Sequence, residues 1–423
     1  MAYEKVNSMT YEEALAGIHS RRTFSGGGPT LDRIRRLMDA LGNPQERYKV
    51  VHIAGTNGKG SVSAMTAAAL RECGYRVGLF TSPYLVDFRE RIRVDGKNIS
   101  KLDLVGCYET VMAAEEKLES QGFEPVNEFE LVTAIGFLAF YWAKVDYAVL
   151  EVGLGGRTDP TNLVRDPAVC CITSISLDHT QILGDTLEKI AGEKAGIIKW
   201  EAPIVMARQT PEVFEVIGRQ AEAVHAPLYF AADVEPLHQD KHGTRFYCDD
   251  TELEIPLLGD YQMENAAAAW QITRVLGLPK DAVKRAFAQV SWPGRLQYIP
   301  GEPDYLIDAG HNPGGIQALC KTVKELFPDR SVTAVVSMMK DKDYGVCIPE
   351  IAKIAEHVIG CTVGLPRSLT PEEIAKVAGE YTRADWSEDF QGALEMARED
   401  KGNLIVVCGS VFGAGEALNV LEL

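Results

Sequence analysis

The chain has 423 residues, 46% of them hydrophobic, which is enough for a large core and predicts two or three domains. Its 43 basic and 60 acidic side chains give a formal charge of −17, which excludes a general affinity for nucleic acid or for an anionic membrane. The first residues carry acidic groups where a secretory signal needs an apolar core, and no apolar run is long enough to span a bilayer, so we expect a cytoplasmic protein. The nine cysteines are scattered, mostly within apolar runs, which predicts buried, reduced thiols.

From residue 49 onward, apolar runs of strand length alternate with amphipathic segments, a pattern typical of parallel strands joined by helices. The first run, "KVVHIAG", precedes an alanine-rich helix that ends at Gly74, and "YRVGLFTSP", "DYAVLEVG" and "AVCCITSIS" predict further buried strands. Alternating polarity in "TRFYCDDTELEI" predicts a hairpin attached to the main sheet. The predicted fold class is therefore α/β.

Proline and glycine are concentrated in residues 291–305, and a second series of strands and helices begins at "YLIDAG". It continues through "SVTAVVSMM", "HVIGCTV" and "LIVVCGS". We therefore predict a boundary near residue 297. A parallel-sheet α/β domain is expected over 1–297, and a smaller α/β domain over 298–423.

A glycine-rich turn, "GTNGKGS", connects the first predicted strand to the helix that follows it at residues 55–61. Its glycines allow backbone N–H groups to approach a phosphate closely, and the N-terminus of a helix favours negative charge. Lys59 would reach the terminal phosphates. The pattern departs from the usual phosphate loop, because Gly60 directly follows the lysine and Ser61 comes one position late. A plain turn is the alternative, but a turn between a strand and a helix favours phosphate binding.

Ionisable side chains also occur where other predicted strands end. Glu151 closes "DYAVLEVG", and a carboxylate at this edge suits Mg²⁺ bound to nucleotide phosphates, the alternative being a solvated glutamate. His179 follows "AVCCITSIS" and, taken alone, favours a structural role over a metal-binding one. Asp308 and His311 follow the first strand of the second domain and would face a cleft if the two sheet edges oppose one another.

The turn "GTNGKGS" resembles the phosphate loop of the folylpolyglutamate synthases and dihydrofolate synthases, a branch of the Mur ligase superfamily. The resemblance extends in order through most of the chain, in "TSPYL" (81–85), "EVGLGGRTDPTN" (151–162), "SLDHTQILG" (176–184), "GEKAGIIK" (192–199), "WPGRLQ" (292–297) and "DAGHNP" (308–313).

The resemblance implies a P-loop NTPase-like, ATP-binding domain over 1–297 that includes a folate-binding N-terminal segment, followed by a smaller Rossmann-like glutamate ligase domain over 298–423. It also implies an ATP site with two magnesium ions. Ser82 and Glu151 match ligands of the first ion, and His179 and Lys194 match groups at the second, where the lysine is carbamylated; a plain lysine contacting phosphate is the competing interpretation of Lys194. The positions that match nucleotide-binding residues are Gly55, Thr56, Asn57, Gly58, Lys59, Gly60, Ser61, Asn265, Arg295 and Asp308. The implied catalytic residues are Lys59, Lys194, Asp308 and His311.

The resemblance also implies a folate pocket. The segment "SRRTFSGGGPTLDRIRRLMDALG", which includes the glycine tract 26–28, corresponds to a loop that helps to hold the pterin. In "VNEFELVTAIGF", Phe129 would pack on a flat ring while Glu128 or Glu130 binds its polar edge. The substrate-binding positions implied are Thr30, Glu128, Phe129, Arg157 and Asp159.

The function implied is that of an ATP-dependent ligase that adds L-glutamate to a folate through an acyl phosphate. The acceptor is the polyglutamate chain of tetrahydrofolate, dihydropteroate, or both. Another Mur-type ligase acting on a cell-wall precursor is the nearest alternative, which the short stretch before the phosphate loop disfavours. A non-catalytic ATP-binding switch is the third. We expect a monomer whose partners are small molecules: folate or dihydropteroate, L-glutamate and ATP.

Overall fold

The computed structural model describes residues 9–21, 30–400 and 403–422, so the glycine tract at 26–28 lies outside the described residues. The described residues form two compact units. The first takes its residues from 1–82, 89–231 and 268–283, and the second from 83–88, 232–267 and 284–423.

The elements of the first unit follow the alternation seen in the sequence. Its helices are α1 (Tyr11–His19), α2 (Asp32–Ala40), α3 (Lys59–Glu72), α4 (Lys101–Glu119), α5 (Glu128–Trp142), α6 (Thr180–Leu183), α7 (Leu187–Ala195) and α8 (Pro211–Ala223). Its strands are β1 (Lys49–Ala54), β2 (Val77–Phe80), β3 (Ile92–Val94), β4 (Lys97–Asn98), β5 (Tyr147–Glu151), β6 (Val169–Ile172), β7 (Ile204–Met206) and β8 (Leu228–Phe230). Two further helices, α9 (Asp260–Val275) and α10 (Lys280–Phe287), have residues in both units.

In the described part of the first unit, the strands form one sheet in the order β4-β3-β2-β5-β1-β6-β7-β8. Neighbours from β2 to β8 are parallel, and β3 and β4 add antiparallel strands at one edge. All residues of β5 and β6 are buried, as expected of strands covered on both faces by helices. The predicted α/β class is confirmed.

Local signals explain where the helices beside this sheet begin. Gly58 adopts φ +88°, a left-handed conformation that glycine accepts without strain, and α3 starts at the next residue. Asn127 caps α5: its side chain accepts a hydrogen bond from Glu130 N, and the Glu130 side chain accepts one from Asn127 N. Both helices are largely buried along their length.

The predicted hairpin at 244–255 is present, but its attachment to the main sheet is wrong. Strands β9 (Val234–Asp240), β10 (Gly243–Cys248) and β11 (Thr251–Ile255) form a separate antiparallel sheet in the second unit. Side chains alternate between buried and exposed along β10 and β11. One buried face suits an antiparallel sheet, whereas the main parallel sheet requires strands buried on both faces.

The remaining elements of the second unit form a second α/β layer structure. Its strands are β12 (Gln297–Ile299), β13 (Asp304–Ile307), β14 (Ser331–Val336), β15 (His357–Gly360), β16 (Arg383–Trp386) and β17 (Asn403–Cys408). Its helices are α11 (Pro313–Leu326), α12 (Tyr344–Ala352), α13 (Pro371–Ala378), α14 (Phe390–Glu399) and α15 (Val411–Val420). As far as the structure describes them, these strands lie in the order β12-β13-β17-β14-β15-β16, with only β12 antiparallel.

The second sheet has a buried apolar cluster on each face, one packed by α11, α12 and α13 and the other by α14 and α15. All nine cysteines lie in the described part of the chain as thiols, and all except the half-buried Cys73 are buried, as predicted. Among the described residues, no helix is both long enough and apolar enough to cross a membrane.

Candidate active site

The phosphate-loop candidate lies at the carboxyl end of β1, between that strand and α3. A Cβ at Gly55 would overlap the Thr173 hydroxyl, so the close approach of these two segments requires glycine. Thr56 N and Asn57 N both donate to Ser174 O, at 2.8 Å and 3.4 Å. The backbone after β6 therefore holds the first half of the loop, and the second half forms the N-terminal turn of α3, where a helix favours an anion.

Two lysines meet at the start of this loop. The Nζ of Lys59 donates to Gly55 O and Thr56 O, each at 3.1 Å, and the Nζ of Lys194 donates to Gly55 O at 2.7 Å. Lys194 lies near the end of α7 and is 4% exposed. Burial, reinforced by the positive charge of Lys59, lowers the pKa of Lys194 to about 7. A substantial fraction of this amine is therefore neutral at neutral pH.

Glu151 and Ser82 also lie together beside the loop. Glu151 ends β5, is 5% exposed, and is paired in register with Ile53 of β1. Its Oε2 accepts a hydrogen bond from Ser82 N at 3.1 Å. A buried carboxylate next to a serine at the carboxyl edge of a parallel sheet is a donor set that suits Mg²⁺, which prefers oxygen ligands.

His179 lies in the segment that continues from the loop contact after β6. It precedes α6 with a φ of 50°, and its Nε2 is 3.9 Å from Asp178 Oδ1. Its side chain is 40% exposed. Within residues 9–21, 30–400 and 403–422, no three His, Cys, Asp or Glu side chains form a metal-binding group.

The glycine-rich loop after β5 is packed tightly against the end of α7. Arg157 N donates to Glu193 O at 2.8 Å, and the exposed Arg157 guanidinium donates to Gly192 O at 3.0 Å. A Cβ at Gly156 would lie 2.7 Å from Glu193 O and 3.0 Å from the Lys194 Cα. The spacing between this loop and the Lys194 backbone therefore depends on the absence of a side chain at 156.

Asp159 lies inside the same loop and is 3% exposed. Its carboxylate accepts hydrogen bonds from Leu154 N and Thr161 N, both at 2.9 Å, and from the Thr161 hydroxyl. Burial raises the pKa of Asp159, and these hydrogen bonds oppose the shift. In the structure its hydrogen bonds therefore hold the loop itself.

His52 in the middle of β1 is a residue that sequence reasoning missed. Its Nε2 lies 2.8 Å from the Thr161 hydroxyl, and because that hydroxyl donates to Asp159, the Nε2 must carry the proton and donate. Nδ1 then carries a lone pair and no proton, and among the described residues it has no hydrogen-bond partner. Burial, with the charge of Lys199, lowers the pKa of His52 to about 3, so the ring stays neutral. The only signal in the sequence was a polar residue within a buried strand.

Two of the predicted folate-binding residues lie at the start of α5. Glu128 is partly exposed and its Oε1 lies 3.2 Å from His19 Nδ1. The Phe129 ring packs directly against Gly153, in the loop after β5, so that a Cβ there would lie 2.7 Å from its Cε1. These two positions are thus brought close to the Glu151 end of the main sheet.

Two other residues of this region have hydrogen-bond partners within the protein. Glu130 is 2% exposed, bonds Arg33 of α2 at 3.2 Å and 3.3 Å, and caps its own helix. Of the two glutamates considered for the pterin, Glu128 is therefore the accessible one. Thr30 lies just before α2, where its hydroxyl accepts a hydrogen bond from Asp32 N at 3.2 Å.

The candidates in the second unit gather around Asp308 at the carboxyl end of β13. Its carboxylate accepts hydrogen bonds from Leu296 N at 2.9 Å and Gly310 N at 2.8 Å. Burial raises the pKa of Asp308, and the nearby Arg295 opposes this shift. His311 Nδ1 lies 3.0 Å from Ala309 O, so it donates to that carbonyl and Nε2 is the nitrogen that accepts a proton.

Asn265 lies on α9 in the same unit and is 7% exposed. Its Nδ2 donates to Gln262 Oε1 at 3.1 Å. The neighbouring Tyr261 hydroxyl interacts with the charges of Asp308 and Arg295, and burial raises its pKa. These side chains therefore form one polar cluster.

Two family models match the chain. One described as the Mur ligase middle domain matches residues 53–273, and one described as the Mur ligase, glutamate ligase domain matches residues 294–411. The chain is 36% identical over 419 residues to the dihydrofolate synthase/folylpolyglutamate synthase of Bacillus subtilis (strain 168), covering 95% of this chain and 97% of that protein.

Solved structures agree with this likeness. Mycobacterium tuberculosis folylpolyglutamate synthase complexed with ADP and AMPPCP superposes with a TM-score of 0.89 at 34% identity, covering 98% of each chain. E. coli FolC in complex with DHPP and ADP superposes with a TM-score of 0.88 at 28% identity, again covering 98% of each chain.

Proposed function

The chain belongs to the folylpolyglutamate synthase and dihydrofolate synthase family of Mur ligases, and on that premise we propose that it is an ATP-dependent ligase that adds L-glutamate to a folate. The observation that carries the proposal is the gathering of Lys59, Lys194 and the buried Glu151 around the start of the phosphate loop. Positive charge and a metal-binding carboxylate beside a phosphate site are what phosphoryl transfer needs.

In the first step, a carboxylate oxygen of the folate substrate attacks the γ-phosphorus of ATP. The bond to the β-phosphate oxygen breaks, so that ADP leaves and an acyl phosphate forms. Lys59 holds the phosphates as negative charge crowds together, and the α3 N-terminus contributes the positive end of its dipole. Activation is needed because a free carboxylate is a poor electrophile.

In the second step, the neutral amine of L-glutamate attacks the acyl carbon. The carbon–oxygen bond to phosphate breaks, inorganic phosphate leaves, and the amine loses a proton to give the amide. Asp308 and His311 of the second unit are proposed for nucleotide binding and catalysis, with His311 Nε2 as the proton-accepting nitrogen. Asn265 and Arg295 are proposed to contact the nucleotide.

Ser82, Glu151, His179 and Lys194 would hold two magnesium ions. When bound, Mg²⁺ neutralises charge on the transferring phosphoryl group. Carbamylation of Lys194 is supported by its pKa of about 7, because only a neutral amine attacks CO₂. The product is anionic and offers oxygens in place of an ammonium group.

Thr30, Glu128, Phe129, Arg157 and Asp159 are proposed for the folate side of the reaction. The buried Asp159 would act by holding the loop that carries Arg157, whose guanidinium is exposed. The proposed domains are an ATP-binding domain over 1–297 and a glutamate ligase domain over 298–423. We further propose that the protein acts in the cytoplasm as a monomer on small molecules.

The proposal is tested by incubating the purified protein with ATP, Mg²⁺ and L-glutamate and measuring phosphate release and product mass. Dihydropteroate, tetrahydrofolate and a UDP-muramyl precursor are offered separately. We expect mass increments of one glutamate unit on a pterin substrate. Phosphate release with the muramyl compound alone would contradict the proposal.

Two lysine variants make the assay specific for the site. Lys59→Met removes the proposed phosphate contact and should abolish phosphate release. Lys49→Met, on the exposed lysine that begins β1, the strand before the phosphate loop, is the matched control and should keep full activity. Equal activities in the two variants would remove Lys59 from the mechanism.

A further inference from the structure

The segment that supports the phosphate loop is itself held from its other side by a side-chain amide. Strands β6 and β7 pair up to Ile172 and Met206, and Ala207 N donates to Ile172 O at 2.9 Å. Beyond that point the Gln209 side chain continues the ladder. Its Nε2 donates to Thr173 O at 2.8 Å, and its Oε1 accepts from Ile175 N at 3.2 Å.

This pair of hydrogen bonds has the pattern of a parallel β-bridge. In a parallel sheet, one residue donates to the carbonyl before the residue opposite it and accepts from the N–H after it. Gln209 makes the same two bonds to the residues on either side of Ser174. Its amide therefore substitutes for a strand neighbour where no backbone strand continues.

The opposite side of the same three residues contacts the phosphate loop. Ser174 O accepts from Thr56 N and Asn57 N, and the Thr173 hydroxyl donates to Asn57 O at 2.6 Å. Because successive residues of an extended chain direct their backbone groups to opposite sides, Gln209 and the loop do not compete for the same atoms. The segment is fixed between them.

We propose that Gln209 is a positioning residue for the nucleotide: it fixes residues 173–175, which in turn hold Thr56 and Asn57 in the geometry that receives the phosphates. The inference rests on the proposed function, because it takes Mg-ATP as the ligand of the loop. Ordering the loop before binding reduces the entropy lost on binding, so the residue contributes to affinity without touching the ligand.

The test is the affinity for Mg-ADP, measured by isothermal titration calorimetry. Gln209→Met keeps the length of the side chain and removes both hydrogen bonds. We expect the dissociation constant of Mg-ADP and the KM for ATP to rise about tenfold, the effect of losing two neutral hydrogen bonds. The KM values for folate and L-glutamate should stay at the wild-type level, which separates nucleotide positioning from general damage.

Two further variants complete the experiment. Gln391→Met removes an exposed glutamine that bonds Glu395 at 2.8 Å on α14, and should leave the dissociation constant unchanged. Thr173→Val removes only the bond to Asn57 and should raise the dissociation constant about threefold, half the effect on a logarithmic scale. If Gln209→Met does not fold, the affinity of Thr173→Val for Mg-ADP tests whether residues 173–175 position the phosphate loop.

A Gln209→Met protein with a lower melting temperature but wild-type affinity for Mg-ADP would overturn the inference, as would a folded Thr173→Val protein with wild-type affinity. A wild-type protein that binds no Mg-ADP would instead overturn the proposed function. The two failures are therefore distinguishable.

Discussion

Replacement of Gly156 by alanine tests the packing that positions Lys194. The added Cβ would lie 2.7 Å from Glu193 O, whereas ordinary contacts begin at 3.4 Å, so the loop and α7 must separate by about 0.7 Å. Glu193 O and the Lys194 Cα, the two nearest atoms, belong to the backbone and cannot rotate away as a side chain could. We expect a loss of about 1–3 kcal/mol in the free energy of unfolding, the usual cost of overpacking. Because displacements of about 1 Å cost roughly 100-fold in rate, kcat should fall by roughly 10- to 100-fold.

Gly192→Ala is the matched control, because a Cβ at this position of α7 meets nothing within 4 Å. Alanine in a helix interior should stabilise the protein by about 1 kcal/mol and leave kcat unchanged. Thermal unfolding and phosphate release are measured for both variants. Wild-type kcat and stability in Gly156→Ala, or the same behaviour in both variants, would refute the reasoning.

Three further predictions concern other buried groups. Glu151→Gln should lower kcat by roughly 100-fold or more. The melting temperature should stay the same, since the amide oxygen still accepts the hydrogen bond from Ser82 N. Near-normal turnover would exclude a metal-binding role for Glu151. Arg33→Ala should lower the free energy of unfolding by about 3–5 kcal/mol, because Glu130 then stays buried without its cation. Arg35→Ala, on the exposed face of the same helix, should lower it by under about 1 kcal/mol. Urea unfolding measures both, and equal losses would contradict this prediction. The unfolded chain protonates His52 near pH 6.5 but the folded chain only near pH 3, so stability falls by about 1.4 kcal/mol per pH unit from this group as the pH drops through that window. His52→Gln, which keeps an N–H donor, should show a shallower acid decline, and an unchanged slope would show that the ring does not titrate in this way.

Much of the fold could be predicted because strands buried on both faces leave a clear sequence pattern. The runs that form β5 and β6 are apolar almost throughout, the run that forms β1 is interrupted within the strand only by His52, and the glycines of residues 55–61 mark the turn after β1 directly. Glu151 could be placed at the carboxyl edge because a charge at the end of an apolar strand is costly without a partner.

The rest could not be predicted, and most of it depends on contacts between distant parts of the chain. The family likeness predicts a substrate-binding role for Asp159, yet its hydrogen bonds in the structure are made within its own loop. His52 bonds Thr161, and Gln209 bonds Thr173 and Ile175, and these partners lie far away in sequence. Neither the spacing of residues within a motif nor the period of hydrophobic residues predicts such long-range hydrogen bonds. The sheet to which the hairpin belongs was mistaken for a related reason, because alternation predicts a strand but does not identify its neighbour.

The distribution of thiols allows the phosphate loop to be monitored with a selective label. Burial raises the pKa of Cys170 to about 12 and that of Cys107, Cys171 and Cys361 further, so these groups remain protonated and shielded from reagents. Cys73 is half-buried and caps the end of α3, the helix whose first residue is Lys59. A maleimide dye would therefore react there first and report on nucleotide arrival from about 20 Å away, the length of that 14-residue helix, without an engineered cysteine.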